Sequence, residues 1–391
     1  MKILFLSRWF PIPADNGSRI RIFNLLRGLS QRHSVTLLSF SDQPDIDFDA
    51  PQVREICEHV EVVRWREFDP GRWRARLGFL SFSPRSIVDT FSDEMAKKIQ
   101  QELSHERYDL IIASQLQMAA YHQYFQNVPA IFEETELGLV YEDSRRSLRW
   151  MRLRRMFTWI KLRFYFSRLL KSFRAVTVVS ERERELVNKF YPEVGHVRVI
   201  PNAMNIAEYK GLHVDVNPNA IIFTGSFRYH ANYEAMIWFI GKVFPLILSQ
   251  IPDAELIITG DHLDLPLPSN KNVRRTGYVD DVRGLVASSM VALAPLRSGG
   301  GTRLKILEAM VMGTPVVTTS KGVEGLDAQN EVHLLVTDHP NDFANCVINL
   351  MTDRGRRREL SENALRLVQE KYDWSKVIFQ FFELAEQISG K

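Results

Sequence analysis

The chain alternates short apolar segments with longer amphipathic ones, and this alternation limits the fold more than any other feature of the sequence. The first apolar segment, KILFLS at residues 2–7, is followed by a helical pattern over residues 18–33. Because strands that are apolar throughout must be covered on both faces, the pattern predicts parallel sheets between layers of helices. Further strands are predicted at SVTLLSF, VEVVRW, DLIIAS, PAIFEE and AVTVVS, and then at AIIFTG, AELIITG, NVRRTGYV, VALAPL, TPVVTTS and HLLVT.

The alternation stops once, in a turn-rich stretch near residues 200–217, and then resumes. A chain of 391 residues is also too long for one hydrophobic core. We therefore predict two doubly wound, Rossmann-like α/β domains, 1–200 and 201–371, with a terminal helix at 372–391 that packs back toward the first domain. Ligands bind outside the carboxyl ends of such strands, so the binding crevice is expected where the two domains face each other.

Composition indicates an ordinary folded protein in a reducing compartment. Hydrophobic residues make up 45% of the chain and charged residues 25%, which is typical of globular domains. The cysteines, Cys57 and Cys346, fit neither a metal site nor a disulfide framework. The first residues have the pattern of a strand rather than of a signal peptide, and no run of 18 apolar residues is present. These features predict a cytoplasmic protein.

The sequence RSGGGTRLKILEAM, residues 297–310, indicates an anion-binding site. A glycine-rich turn before a helix presents backbone N–H groups and the positive end of the helix dipole. Arg303 and Lys305 lie in the predicted first turn, where the dipole disfavours each cation by roughly 0.3–1 kcal/mol, so a bound polyanion would compensate them. The pattern predicts a nucleoside diphosphate, with its phosphates at the turn and its ribose at Glu308. The alternative is a tight turn with surface cations and a Lys305–Glu308 ion pair.

The stretch GGGTRLKILEAMVMGTPVV resembles the donor-site signature of retaining glycosyltransferases of family 4, the group 1 glycosyltransferases with the GT-B fold. The resemblance implies transfer of a sugar, with retention, from a nucleotide-sugar to a hydroxyl acceptor in glycan, polysaccharide or glycolipid assembly. It implies no cofactor besides the nucleotide-sugar, which is a substrate. Supporting stretches occur in the family's order across nearly the whole chain: VTVVSERERELV, VRVIPNAMN, IIFTGSFRYHANYEAMIWF, AELIITGD, VRRTGYVDDV and KGVEGL.

The resemblance also assigns the donor site. Glu308 matches the family's ribose-binding glutamate, whereas Gly300 stands where the family has a glutamate that contacts the transferred sugar. The family's phosphate-binding arginine directly follows the glycine that matches Gly225; here the nearest arginine is Arg228. The resemblance, the glycine turn and the position of Glu324 after a predicted strand together predict a donor-binding set of Glu308, Gly299, Gly300, Gly301, Thr302, Arg228, Gly225 and Glu324.

The departing diphosphate needs positive charge, and a single preorganised donor contributes roughly 3–4 kcal/mol to lowering such a barrier. Other glycosyltransferases hold a metal with Asp-x-Asp, and DIDFD at residues 45–49 matches that pattern. It lies in an acidic, turn-like stretch, and we interpret it as a solvated loop. We therefore predict a metal-independent enzyme in which Arg303 and Lys305 are the catalytic cations, with Arg228 as the second choice.

The first domain is expected to bind the acceptor. Its loop PIPADNGSRI places Asn16, Gly17 and Ser18 at a helix start, similar to the family's glycine-bearing loop beside the donor phosphates and acceptor. An ordinary turn with an N-cap is the alternative. FEETELG follows the strand PAIF, where the family often has a histidine near the transferred sugar. Among its carboxylates we favour Glu134 and Glu136 as groups that bind a sugar or take a proton from the acceptor hydroxyl.

Residues 145–174 contain eleven Lys and Arg and no acidic residue, interleaved with aromatic residues. Aromatic residues beside arginines suit the headgroup level of an anionic bilayer, so 145–175 is predicted to contact a membrane surface or a lipid-linked acceptor. A second basic and aromatic patch at 64–82 supports a peripheral location at the inner face of the membrane. The alternative is a pair of ordinary helices with core-facing aromatics. We predict no nucleic-acid partner, because no nucleic-acid-binding fold accompanies the segment.

Two other functions remain open from the sequence. A GT-B-type nucleotide-sugar epimerase is disfavoured because no pair of acid/base residues flanks the glycine turn. A non-catalytic nucleotide-sugar-binding protein is suggested by Gly300, which replaces a sugar-contacting carboxylate.

Overall fold

The computed structural model divides into two compact units. Unit 1 comprises Met1–Pro201 and Ile378–Lys391, and unit 2 comprises Asn202–Val377. The structure describes residues 1–43, 50–138, 141, 149–209, 211 and 214–391, without the side chains of residues 149–155.

Unit 1 contains a sheet that has seven strands within the described residues, and all of its strand pairs are parallel. Its strands are β1 (Lys2–Ser7), β2 (Ser34–Ser41), β3 (His59–Arg64), β4 (Leu110–Ser114), β5 (Ala130–Glu133), β6 (Ala175–Val178) and β7 (Val197–Val199). Their order across the sheet is β3-β2-β1-β4-β5-β6-β7. The winding direction therefore reverses between β1 and β4, and in open α/β sheets such a switch point binds ligands at the carboxyl ends of the strands.

Helices cover both faces of this sheet. Successive residues of a strand point to opposite faces, so a strand that is apolar throughout must be buried on both. Leu4 and Leu6 belong to a core cluster that also contains Phe166, while Ile3 and Phe5 are equally buried on the other face. The helices before the second unit are α1 (Gly17–Leu29), α2 (Pro51–Arg54), α3 (Trp73–Leu77), α4 (Arg85–Thr90), α5 (Asp93–His105), α6 (Gln115–Ala119), α7 (Arg149–Leu169) and α8 (Glu181–Phe190), with 3₁₀ turns at His122–Tyr124 and Leu170–Ser172.

Unit 2 contains a second parallel sheet, with six strands within the described residues in the order β10-β9-β8-β11-β12-β13. Its strands are β8 (Asn217–Thr224), β9 (Glu255–Thr259), β10 (Val273–Gly277), β11 (Ser289–Ala294), β12 (Val316–Thr318) and β13 (Leu335–Val336). Ile221 and Phe223 pack in one cluster, and Ala220 and Ile222 pack in another. This alternation shows that both faces of the sheet are covered, as the continuous apolar strands predict.

The helices of the second half begin at residue 230. They are α9 (His230–Trp238), α10 (Phe244–Leu248), α11 (Arg283–Ala287), α12 (Leu304–Val311), α13 (Pro340–Thr352), α14 (Arg354–Lys371) and α15 (Trp374–Ser389), with a 3₁₀ turn at Ile206–Tyr209 and a π-helical segment at Phe239–Val243. Residues of α15 from Ile378 onward belong to unit 1. There α15 packs so closely against α1 that a Cβ on Gly28 would collide with Cγ1 and Cδ1 of Ile378.

This contact predicts that Gly28→Val destabilises unit 1, because the added side chain must displace Ile378 from a buried position. Overpacking of this kind costs about 1–3 kcal/mol, which will appear as a lower midpoint of thermal unfolding. The double variant Gly28→Val/Ile378→Ala should recover part of the loss.

The matched control is Gly241→Val, since a Cβ on Gly241 would meet no atom within 4 Å apart from the backbone around it. Its stability should stay within about 0.5 kcal/mol of wild type. Equal effects of the two valines would contradict the proposed packing.

Candidate functional site

The glycine turn of unit 2 connects β11 to α12 and is shaped by a tyrosine. Gly299 and Gly301 have φ values of 90° and 79°, in the left-handed region that favours glycine. A Cβ on Gly299 would also collide with the hydroxyl of Tyr229. That hydroxyl accepts a hydrogen bond from the backbone N–H of Gly300 at 3.0 Å. Glycine at 299 is therefore required by the protein's own packing.

Arg303 supports the turn from inside. It is 6% exposed, and its guanidinium donates to the carbonyl of Gly300 and, at 3.3 Å, to the hydroxyl of Tyr229. Helix α12 begins at Leu304, and Arg303 precedes it as the N-cap residue rather than lying in the first turn as predicted. The residue therefore holds the turn in shape, and its positive charge stays close to the turn.

Lys305 lies in the first turn of α12 and reaches the carboxyl end of β8. Its ammonium donates to Oδ1 of Asn232 at 3.0 Å and lies 4.0 Å from the ring centroid of Phe223. A Cβ on Gly225 would be only 2.7 Å from the same ammonium, so the glycine at 225 makes room for the lysine. Burial lowers the pKa of Lys305 to about 7, and the charge of Arg303 acts in the same direction.

Glu308 lies one turn further along α12 and is partly buried. Burial raises the pKa of its carboxyl group, and the charge of Lys305 opposes that shift. Burial raises the pKa of the nearby Tyr209, and the charge of Glu308 raises it further. Within the described residues Lys305 and Glu308 form no ion pair, and the ammonium of Lys305 bonds to Asn232. The alternative interpretation of a Lys305–Glu308 pair is therefore wrong.

Other residues of the predicted donor-binding set form ion pairs or hydrogen bonds within unit 2. Arg228 is exposed and forms an ion pair with Asp261 at 2.7 Å. Thr302 accepts a hydrogen bond from the side-chain amide of Asn202 at 3.1 Å. Glu324 pairs with the buried Lys321 at 2.7 Å.

In unit 1 the structure brings together two predicted residues that are far apart in sequence. Asn16 is the N-cap of α1, and its side chain accepts from the N–H of Arg19 at 3.1 Å, so the N-cap interpretation holds for this residue. Gly17 is the first residue of α1. Ser18 accepts a hydrogen bond at 3.1 Å from Nε2 of Gln115, which also donates to Glu134 at 2.9 Å. We call Ser18, Gln115 and Glu134 the acceptor cluster.

The acceptor cluster lies at the switch point of the sheet. Gln115 directly follows β4 and Glu134 directly follows β5. Both residues have left-handed backbones, with φ values of 68° and 59°, which cost of order 1–3 kcal/mol for a residue other than glycine. Thr177 supports Glu134 by accepting from its backbone N–H at 3.0 Å. Such strain tends to occur where function requires a particular side-chain position.

Three neighbouring glutamates have different environments. Glu133 is fully buried, pairs with Arg21 at 2.7 Å and accepts from Ser114 at 2.7 Å, so it is part of the core. Glu136 is exposed. Glu134 is buried; burial and, next, the charge of Glu133 raise its pKa to about 8, which Arg21 opposes. A carboxyl group that titrates near neutral pH is suited to proton transfer.

Three residues of these sites, Gln115, Tyr229 and Asn232, were not predicted from the sequence. Gln115 directly follows a predicted strand, so the rule that identified Glu134 could have found it. Tyr229 and Asn232 lie in the same stretch as Gly225 and Arg228, but their contacts join them to residues about 70 positions away.

The basic segment is divided between core and surface. Trp159 and Phe166 are buried, and Trp159 packs on Phe190 with centroids 5.1 Å apart. Phe157 and Phe164 are exposed. Residues 145–148 and the side chain of Trp150 lie outside the described residues, so contact with a membrane stays a prediction.

Two other features concern membranes and metals. Within the described part of the chain, no helix is both long enough and apolar enough to cross a membrane. The same residues contain no cluster of three His, Cys, Asp or Glu side chains that could hold a metal ion. The DIDFD stretch, residues 45–49, lies outside the described residues.

Comparison with known proteins identifies the family. Residues 15–208 match the family described as Glycosyltransferase Family 4, and residues 218–353 match Glycosyl transferases group 1. These matches place the chain among proteins that transfer sugars. It belongs to glycosyltransferase family 4, the group 1 glycosyltransferases, and has their GT-B fold.

Relatives match with low identity but over long stretches. An uncharacterized 44.6 kDa protein in the cps region of Klebsiella pneumoniae is 22% identical, covering 98% of this chain and 99% of that protein. The phosphatidyl-myo-inositol mannosyltransferase of Mycolicibacterium smegmatis is 28% identical over 49% of this chain and 52% of its own. The crystal structure of Anabaena HepE with UDP-glucose has a TM-score of 0.68 at 16% identity, covering 99% of this chain and 100% of that one.

The raised pKa of Glu134 predicts a pH-dependent stability. An ordinary Glu has a pKa of about 4.3, so between that value and about 8 the folded protein holds a proton that the unfolded chain has lost. Unfolding then releases a proton, and stability falls as pH rises, by up to about 1.4 kcal/mol for each pH unit. Glu134→Gln should remove this dependence and be the more stable protein at pH 8.5.

Thermal unfolding of both proteins from pH 5 to 8.5 measures the difference. Glu185→Gln is the matched control, because Glu185 is an exposed carboxylate of the same unit that does not contribute to the shift of Glu134, and it should follow wild type. Parallel curves for wild type and Glu134→Gln would contradict the assignment.

The lowered pKa of Lys305 predicts that the lysine takes up a proton when a diphosphate binds. At pH 8 most Lys305 side chains are neutral, whereas a terminal phosphate, with a second pKa of about 6, is fully ionised. A diphosphate beside the lysine would restore its charge. Affinity should therefore fall by up to about ten-fold for each pH unit above 7.

Calorimetry of a nucleoside diphosphate at pH 8, in two buffers with different ionisation enthalpies, measures this uptake. Lys305→Ala should abolish it, and Lys371→Ala, at an exposed ion pair of the same unit, should retain it. Identical heats in both buffers for wild type would show that Lys305 does not contact the phosphates.

Proposed function

We propose that this glycosyltransferase moves a sugar from a nucleoside-diphosphate sugar to a hydroxyl acceptor, with retention and without a metal ion. The observation that carries the proposal is the arrangement on α12 of unit 2. A glycine turn and the partly buried side chains of Lys305 and Glu308 occur within one short segment.

The donor side follows from the chemistry of these groups. The turn and the start of α12 present backbone N–H groups that suit phosphate oxygens, although those of Gly300, Leu304 and Ile306 already donate within unit 2. Lys305, in the first turn of α12, has a pKa of about 7, so a phosphate beside it would convert it into a full counter-charge. Glu308, without an ion-pair partner among the described residues, is suited to accept hydrogen bonds from two ribose hydroxyls.

The reaction breaks the bond between the anomeric carbon and the diphosphate. Negative charge then develops on the diphosphate oxygen, and Lys305 and the turn N–H groups stabilise it in place of a metal. Arg303 contributes charge and fixes the turn through Gly300. Arg228 is exposed next to Asp261 and is a secondary candidate.

The acceptor side is assigned to unit 1. A new bond forms between the acceptor oxygen and the anomeric carbon, and the hydroxyl proton goes to the carboxylate of Glu134. Gln115 and Ser18 position that carboxylate. A base with a pKa of about 8 matches a reaction run near neutral pH.

Named relatives support the donor and acceptor classes. HepE was crystallised with UDP-glucose, which supports a nucleotide-sugar donor. The mycobacterial relative is named for a mannosyl transfer to a phosphatidyl-inositol lipid, which supports a lipid-linked acceptor.

Turnover of a panel of nucleoside-diphosphate sugars, measured by release of the nucleoside diphosphate, tests the proposal. Lys305→Ala should reduce turnover by about 10²–10³-fold and weaken diphosphate binding. Glu134→Gln should retain diphosphate binding but lose about 10²-fold in transfer. The anomeric configuration of the product, read by NMR, should match that of the donor.

Lys371→Ala, away from the turn, is the matched control and should behave as wild type. Full activity of Lys305→Ala would refute the phosphate assignment. Binding of nucleotide-sugars without turnover would favour a non-catalytic binding protein, and an epimerised nucleotide-sugar as product would favour an epimerase.

A further inference from the structure

Unit 1 contains a cavity of about 1300 Å³ that the acceptor cluster lines in part, and we call it the unit 1 cavity. Ser18, Gln115 and Glu134 line it together with apolar side chains from two segments. One segment precedes α4, and the other is α7. Their apolar members include Phe79, Leu80, Phe82, Phe157, Ile160 and Phe164.

These side chains are more exposed than is usual for large apolar residues. Leu80 is 88% exposed, and all six members named above are more than half exposed. The rings of Phe82 and Phe164 lie 6.1 Å apart across the two segments. A contiguous exposed patch of this kind marks a surface that binds something apolar.

The charged side chains that lie among these apolar residues are positive. Arg85 and Lys161 line the cavity, and the guanidinium of Arg85 lies 3.9 Å from the ring centroid of Phe79. Lys161 donates to the carbonyl of Gly78, and burial and the charge of Arg85 lower its pKa. The charge of Arg85 is near enough to act on Lys161, and two neighbouring cations attract an anion.

A glycan alone does not suit this part of the cavity. Its hydroxyl groups would lose hydrogen bonds to water against side chains such as Leu80, Ile160 and Phe164, which offer none in return. An aliphatic chain has no hydrogen bonds to water to lose there, and each methylene that leaves water contributes favourable free energy.

We infer that the unit 1 cavity holds the aliphatic chain of a lipid-linked acceptor, with an anionic group next to Arg85 and Lys161 and the acceptor hydroxyl at the acceptor cluster. This inference rests on the proposed function, since it names the class of acceptor that the transferase uses.

Binding of n-alkyl phosphates with six to twelve carbons, below the concentrations at which they form micelles, tests the inference. Isothermal titration calorimetry of the full chain should show Kd decreasing about two- to four-fold with each added methylene. An alkyl trimethylammonium of equal length should bind at least ten-fold more weakly, because Arg85 and Lys161 repel it.

Phe164→Glu should weaken binding of the longest alkyl phosphate by ten-fold or more. Phe379→Glu is the matched control: Phe164 is 51% exposed and Phe379 is 50% exposed, but Phe379 does not line the cavity. Leu80→Glu is a second cavity variant, at a position too exposed to support the core. Unchanged binding of a nucleoside diphosphate by all three variants would show that unit 2 is intact.

The inference would be overturned if the affinity for alkyl phosphates did not depend on chain length. Equal losses of alkyl phosphate affinity in Phe164→Glu and Phe379→Glu would overturn it as well. Phe164-dependent binding to anionic phospholipid vesicles without binding of soluble alkyl phosphates would identify a membrane-contacting face instead. Length-dependent binding without turnover of any nucleotide-sugar would uphold the cavity assignment and refute the proposed function.

Discussion

The parallel pairing of strands is the constraint on which both units depend. Parallel strands all end at the same edge of a sheet, and each connection must cross back over a face. The loops after β1, β4 and β5 therefore meet in unit 1, where they bring Ser18, Gln115 and Glu134 together. In unit 2 the ends of β8 and β11 meet in the same way and place Gly225 beside Lys305.

Both groups of side chains are held in states that an isolated chain would disfavour. Gln115 and Glu134 have left-handed backbones, and Glu134 is a buried carboxyl group next to another, Glu133. Lys305 is an ammonium whose surroundings lower its pKa. Folding provides the energy that holds these side chains in place, and perturbed ionisable groups of this kind concentrate at functional sites.

The sequence predicted the positions of the strands better than it predicted contacts between side chains. Each predicted strand is present, and the inner strands were found because a buried parallel strand needs an unbroken apolar run that is visible in the residues themselves. The edge strands β3 and β10 contain exposed polar residues and are less apolar. Asn232, by contrast, bonds to a lysine 73 positions away, and no local pattern indicates that pairing. Aromatic residues of α7 show the same limit: Trp159 and Phe157 look alike in sequence, yet one is buried and the other exposed.

By itself, the sequence determined the sheet class, the glycine turn before α12 and the family, since these depend on residue types at short spacing. Only the tertiary structure decided which charges are available. In the folded protein Arg303 bonds to the turn, Glu308 has no ion pair among the described residues, and Glu134 lines a largely apolar cavity. The physical reason is that burial and partner choice are set by residues from distant parts of the chain, which meet only when the sheets form.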